Sequence, residues 1–251
     1  MHIDVLTAVP EVFTSPLESS ILRRAREKQL LSVAVHNLHH FSPNGRIDDY
    51  PYGGGAGMVI RVDVVVRALR YLQSKRKYDE VIYLTADGML LSQSLLNQLS
   101  MHRSLLLIAG HYKGIDDRIR HYISREISIG NYVLTGGELP ALVLIDGIAR
   151  LLPGVLSDGI SALEDSYQDG LLAPPLYTRP PEFEGHKVPE VLLSGDHKAI
   201  CKWRLQMSWQ RTLERRPELI REDEAPPPEY DGENAAQRDK SVPASEEEGP
   251  S

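Results

Sequence analysis

Apolar runs and helical periodicities alternate along the first 150 residues. HIDVLTAV (2–9) is a short, nearly continuous apolar run, the pattern of a buried strand. SPLESSILRRAREKQL (15–30) has helical spacing, with Ser15 placed as N-cap, Pro16 at the first helical position and Glu18 closing a capping box. LSVAVHNL (31–38) predicts a second strand. Beyond a polar stretch, the pattern predicts a helix over 62–76, a strand EVIYLT (80–85), a helix over 92–101, and a strand SLLLIAG (104–110). A short helix over 115–123, a strand EISIG (126–130) and the apolar helix ELPALVLIDGIARLL (138–152) complete the series. Strands alternating with helices predict an α/β layer around a mostly parallel sheet.

The polar gaps carry the next signal. Three strands run into glycine-bearing loops: TADG (85–88), GHYKG (110–114) and GNYVLTGG (130–137). Loops after the carboxyl ends of parallel strands form the ligand crevice of such sheets. Each glycine taken singly is also explained by a tight turn or a helix cap; three such loops in one sheet predict a shared pocket. IGNYVLTGGELP (129–140) has no Gly-Lys-Ser/Thr and does not fit G-x-G-x-x-G, so neither a phosphate loop nor a dinucleotide fingerprint explains it. The segment 39–58, with five glycines and two prolines, is longer than an ordinary connection and reads as functional or mobile.

Residues 153–185 break the pattern with prolines, glycines, acids and aromatics, and read as a linker leading into a second module. GDHKAICKWRLQMSWQRTLERRPEL (195–219) is helical, with Asp196 as its cap. Between 187 and 217 lie seven bases against three acids. Arg204, Arg211 and Arg215 share a face by spacing, while Trp203, Met207 and Ile200 are expected on the opposite, apolar side. A basic face is a solvated surface or a nucleic-acid surface; the local excess keeps the second reading open.

Charge has to be read locally. The net −7 resides entirely in residues 221–251, where ten acids stand against three bases. That tail lacks the large apolar residues needed to offset its ordering entropy, so its composition predicts disorder. The remaining 220 residues are neutral overall, and an RNA partner is not excluded. The single cysteine, Cys201, excludes an internal disulfide framework and is expected to be a small buried or half-buried residue. No basic-then-apolar leader follows Met1 and no run reaches membrane-spanning length, so a soluble cytosolic protein is expected.

Six stretches taken in order carry a resemblance. DDYPYGGGAGM (48–58), AGHYKGIDDR (109–118), SIGNYVLTGGELPALVLID (128–146), LEDSYQDGLLAPPLYTRPPEFEG (163–185), VPEVLLSGDH (188–197) and RRPEL (215–219) resemble the bacterial tRNA (guanine-N1)-methyltransferase family. The match runs to about residue 220 and leaves out only the acidic tail. It implies a SPOUT-class α/β fold with a trefoil knot, which ordinary topology rules would have excluded. The implied organisation is a cofactor-binding domain (1–158), a flexible linker (159–170), a helical tRNA-binding domain (171–220) and the tail (221–251). The implied reaction is methylation of N1 of guanosine 37 of tRNA, beside the anticodon, with S-adenosylmethionine as donor, an association with Mg²⁺, and a homodimer. A SPOUT enzyme acting on another RNA group, such as a ribose 2′-hydroxyl, and a non-catalytic RNA-binding SPOUT protein are the alternatives.

The resemblance also implies roles for individual residues. Guanine N1 must lose its proton to attack a methyl group, which requires a general base. Residue type alone leaves Glu164, Asp165 and Asp169 equivalent; the family pattern singles out Asp165. Arg150 matches the arginine that stabilises charge developing on guanine O6, and by position it is also a helix C-terminal cation. The cofactor residues carried over are Gly110, Ile129, Gly130, Tyr132, Val133 and Leu134, with Gly136 and Gly137 shaping the turn. Tyr112 and the TADG loop are expected in the same pocket. Asn131 stands where aspartate is usual and Lys113 where glutamate is usual, so a carboxylate role at 113 does not transfer. Arg46 and Asp49 are expected near the target base or a second subunit. Lys202, Arg204, Arg211 and Arg215 are expected to meet RNA phosphates, and no dedicated all-protein metal cage is evident.

Overall fold

The computed structural model describes residues 1–156, 165–220 and 225–227. It divides into two compact units, 1–163 and 164–251. Most of the acidic tail and most of the expected linker lie outside the described residues.

The first unit holds β1 (His2–Thr7), helices α1 (Thr14–Leu17) and α2 (Ser20–Glu27), and β2 (Ser32–Asn37). A two-residue antiparallel ladder, β3 (Asp48–Asp49) with β4 (Val59–Ile60), spans the glycine-rich segment. Then come α3 (Val62–Lys75), β5 (Glu80–Leu90), α4 (Gln93–Ser100), β6 (Ser104–Ala109), β7 (Arg125–Ser128) and α5 (Glu138–Ala149). The five long strands form one wholly parallel sheet in the order β2-β1-β6-β5-β7. The fold is the expected α/β class.

Alternation along each strand creates the two cores. Ile3, Val5, Ile82, Leu84, Leu105, Leu107 and Ile127 face α2, α4 and α5. Leu6, Val81, Tyr83, Leu106 and Ile108 face α3 and Ile119 on the other side. β6 is buried at every position, as a central parallel strand must be.

Several local expectations need correction. The 15–30 stretch is not one helix capped at Ser15. Ser15 lies inside the one-turn α1, the chain breaks at Ser20 (φ 47°), and α2 starts there with no side-chain cap. Ser19 Oγ donates to Ser15 C=O at 2.7 Å, so a local serine bond competes with helix continuation. The 115–123 segment is a 3₁₀ turn (Asp117–Tyr122), with the Asp116 carboxylate accepting from Arg118 N–H. TADG does not follow a finished strand. β5 continues to Leu90, and residues 85–88 bulge out where pairing with β7 jumps from Leu84 to Met89. Gly88 permits this: a Cβ there would lie 2.6 Å from Ile127 N.

In the second unit, the hairpin β8 (Glu182–Phe183) with β9 (His186–Lys187) precedes α6 (His197–Arg215). Asp196 caps α6 as expected, accepting from Lys198 and Ala199 N–H. Buried Thr212 ties the preceding extended chain to the helix, since its Oγ1 accepts from Leu172 N–H at 2.9 Å. Cys201 is exposed rather than buried, because the inward positions nearby fall to Trp203 and Ser208. Ile200 and Met207 are not opposite the arginines: Ile200 lines a recess with Arg204, and Met207 lines another with Arg211 and Arg215. Steps of four residues along a helix keep these pairs on one side.

Candidate active site

The three glycine-bearing loops converge because β6, β5 and β7 are neighbours in the sheet. At their carboxyl ends lies a cleft of about 170 Å³, partly open to solvent. Thr85 and Ala86 of the bulge, residues 110–114, residues 127–130 and residues 132–137 line it, with Tyr83 beneath and Pro140 at one side. Among the expected cofactor residues, Gly110, Tyr112, Ile129, Gly130, Tyr132, Val133, Leu134, Gly136 and Gly137 are all in this lining; Asn131 is not.

Close backbone approach builds the walls. Gly137 N–H donates to Gly110 C=O at 2.7 Å, and a Cβ on Gly137 would lie 2.8 Å from Ala109 Cα. Only glycine lets the start of α5 sit this near the end of β6. His111 and Gly136 form an antiparallel bridge that joins the two loops. Ser128 Oγ donates to Gly130 C=O, and Tyr132 OH reaches Ile129 C=O at 3.3 Å, so the third loop is folded on itself. Tyr112 sits at φ 59°.

Side chains missed by sequence reasoning fix this frame. Glu138 opens α5 only 4% exposed, accepts from Thr7 Oγ1 at 2.8 Å and lies 3.5 Å from His111 Nδ1. Its signal was an acid in the first turn of a helix, which reads as dipole compensation rather than as a long-range tie. Tyr83 OH accepts from Ile115 N–H, and burial pushes its phenol above the ordinary value. Asp87 in the bulge accepts from Thr85 Oγ1 and from Arg120, and these bonds hold its carboxyl below the ordinary range. Arg120 also engages Asp117 and Glu126.

Among the described residues, no aspartate or glutamate lines the cleft. It offers backbone N–H and C=O groups, phenols, His111 and Lys113, a set suited to holding a polar ligand. Lys113 donates its backbone N–H to Met58 C=O, and its stem lies against Gly57. Arg46 is paired with Asp49 at 3.3 Å.

Arg150 and Asp165, the two expected catalytic residues, are not part of this lining. Arg150 caps the carboxyl end of α5, about 15 Å along the helix from Pro140 at the cleft. Asp165 belongs to the second unit, where its C=O accepts from Gln168 N–H at 3.5 Å, and Asp169 accepts from Leu171 N–H. Glu164 lies outside the described residues. On α6, Arg204 and Arg215 are exposed, and Lys202 and Arg211 half-buried.

A family model for tRNA (guanine-1)-methyltransferase TrmD matches residues 1–222. The chain belongs to that family. Similar proteins include the tRNA (guanine-N(1)-)-methyltransferase of Flavobacterium psychrophilum, 52% identical over 88% of this chain and 99% of that one. Those of Porphyromonas gingivalis ATCC 33277, at 51% over 88% and 100%, and Bacteroides fragilis ATCC 25285, at 50% over 88% and 99%, bear the same name. The family match ends where the acidic composition begins. Among the described residues, no helix is long and apolar enough to cross a membrane, and no group of three potential metal ligands occurs.

Proposed function

We propose that this protein methylates N1 of guanosine 37 in tRNA, using S-adenosylmethionine. One observation carries the reading: two strand-end loops and the bulge of β5 meet in a backbone-lined cleft in a chain of this family. The residues fit the donor. Its adenine and ribose find N–H and C=O groups on the 110–114 and 129–137 loops, and no phosphate cradle is needed because the donor has no pyrophosphate. With membership of this family goes, in this reading, a SPOUT knot as the threading of these loops.

Among the described residues, no carboxylate lines the cleft, and guanine N1–H needs a base to take its proton. Asp165 supplies that base, and Arg150 meets the charge developing at O6. Since Arg150 is at the far end of α5 from its own cleft, the reading includes a homodimer in which Arg150 and Asp165 of one copy serve the cleft of the other. Lys202, Arg204, Arg211 and Arg215 meet tRNA phosphates, and Mg²⁺ acts with its waters retained rather than in a protein cage. The enzyme works in the cytoplasm, where its substrate is.

The test is a methylation assay on anticodon-stem transcripts with G or A at position 37, followed by mass spectrometry of the nucleosides. N1-methylguanosine from the G transcript alone is expected. A 2′-O-methyl product, or methylation of both transcripts, refutes the assignment.

A further inference from the structure

The second unit contains a recess of which the methyl-transfer reading uses Arg204 alone. It measures about 490 Å³, is open to solvent, and lies between the 175–181 segment and the start of α6. Leu176, Leu193 and Ile200 supply aliphatic surface, and Tyr177 supplies a ring that is half exposed. That ring leans on buried Trp203, with centroids 6.4 Å apart, so its position is fixed from behind. Arg179 and Arg204 complete the lining. Among the described residues, neither guanidinium is paired with a carboxylate. α6 itself carries Lys198, Lys202, Arg204, Arg211 and Arg215 against one acid, Glu214.

We propose that this recess takes one unstacked nucleotide of the RNA substrate, its base against Tyr177 and its flanking phosphates on Arg179 and Arg204. This rests on the tRNA reading and adds a specific contact to it. A flat aromatic face beside an aliphatic wall suits any base, because every base has a π-face, and the cations track the backbone. Two unpaired guanidinium groups on an apolar recess are complementary to a phosphodiester-linked base and a poor match for a purely apolar partner.

The experiment titrates the full chain with a fluorescently labelled anticodon stem-loop at several KCl concentrations. Tyr177→Phe keeps the ring and binds like the parent. Tyr177→Leu binds about tenfold more weakly, with an unchanged slope of log affinity against log salt. The Arg179→Gln/Arg204→Gln pair flattens that slope by about 0.7–0.9 per lost phosphate contact. Affinity for S-adenosylmethionine stays at the parent value in all three. If the Leu variant does not fold, the exposed arginine pair carries the test alone. Parent-like affinity and slope in these variants, while Arg211→Gln/Arg215→Gln flattens the slope, overturns the recess and leaves the tRNA reading standing. Absence of both RNA binding and methyl transfer in the parent overturns the tRNA reading itself. A changed sedimentation coefficient for Tyr177→Leu assigns the recess to an interface between copies, which also overturns the proposal.

Discussion

Thr7 at the end of β1 donates a 2.8 Å hydrogen bond to Glu138 at the start of α5, joining positions 131 residues apart in the buried interior. The same Thr7 oxygen accepts from Val9 N–H. With the Gly137–Gly110 bond, it pins the cleft loop at its helical end. Thr7→Val removes the donor and leaves a buried carboxylate oxygen short of a partner, which costs about 1–3 kcal/mol. Urea denaturation should show that loss, with Thr7→Ser much closer to the parent. A Val variant as stable as the parent means that Glu138 is satisfied by other means.

Arg120 acts on the cleft from outside it. Thr85 and Ala86 line the cleft, and Asp87 beside them is held by Arg120, which also grips Asp117 and Glu126. Arg120→Met frees the bulge without touching the donor. We expect affinity for S-adenosylmethionine to fall about fivefold with kcat at saturating donor unchanged, and the gap to narrow in about 1 M salt. A lowered melting temperature with unaltered donor affinity would assign Arg120 a structural role only.

These two cases show what the sequence could and could not convey. The strands were legible because burial on both faces leaves near-continuous apolar runs; Ser104–Ala109 is buried throughout. The cleft was legible because backbone-lined walls demand glycine, and glycines are visible as punctuation. The Thr7–Glu138 tie was not, since neither residue signals a partner 131 positions away. Nor was the break at Ser20, because the serine bond that competes with the helix uses the same residue types that cap one. On α6, the spacing of the arginines was read correctly, but the side occupied by Ile200 and Met207 was not. Half-buried apolar residues beside cations resemble a buried stripe until the packing is known.

Asp4 gives the first unit an acid-sensitive element. Its carboxylate is almost buried in β1, with His36 Nε2 at 2.5 Å, Tyr78 OH at 2.6 Å, His2 Nε2 at 2.7 Å and Arg76 Nε at 3.9 Å. Burial alone would raise its pKa, but the bonds from His36, Tyr78 and His2 outweigh it and lower the value from 3.8 to about 2. A depressed carboxyl pKa stabilises the fold above the unfolded value and loses that stabilisation as pH falls through the folded one. The contribution is therefore complete above about pH 4 and gone below about pH 2, and is worth about 1–2 kcal/mol. Asp4→Asn should be less stable than the parent at pH 7, and the difference should shrink as the pH is lowered toward 2. A difference that is constant with pH excludes ionisation of Asp4 as its source.

In the proposed mechanism, Asp165 separates binding from chemistry. The cleft lies wholly in the first unit, whereas Asp165 belongs to the second, so the donor can be held without it. Asp165→Asn keeps size and shape but removes a base able to take the proton from guanine N1. Donor affinity by calorimetry should match the parent, while single-turnover methyl transfer should slow at least about a hundredfold. Raising the pH should partly restore the variant, because solvent hydroxide then competes for the N1 proton. Near-parent turnover by the Asn variant would turn attention to His111, which lines the cleft, as a side chain able to accept a proton.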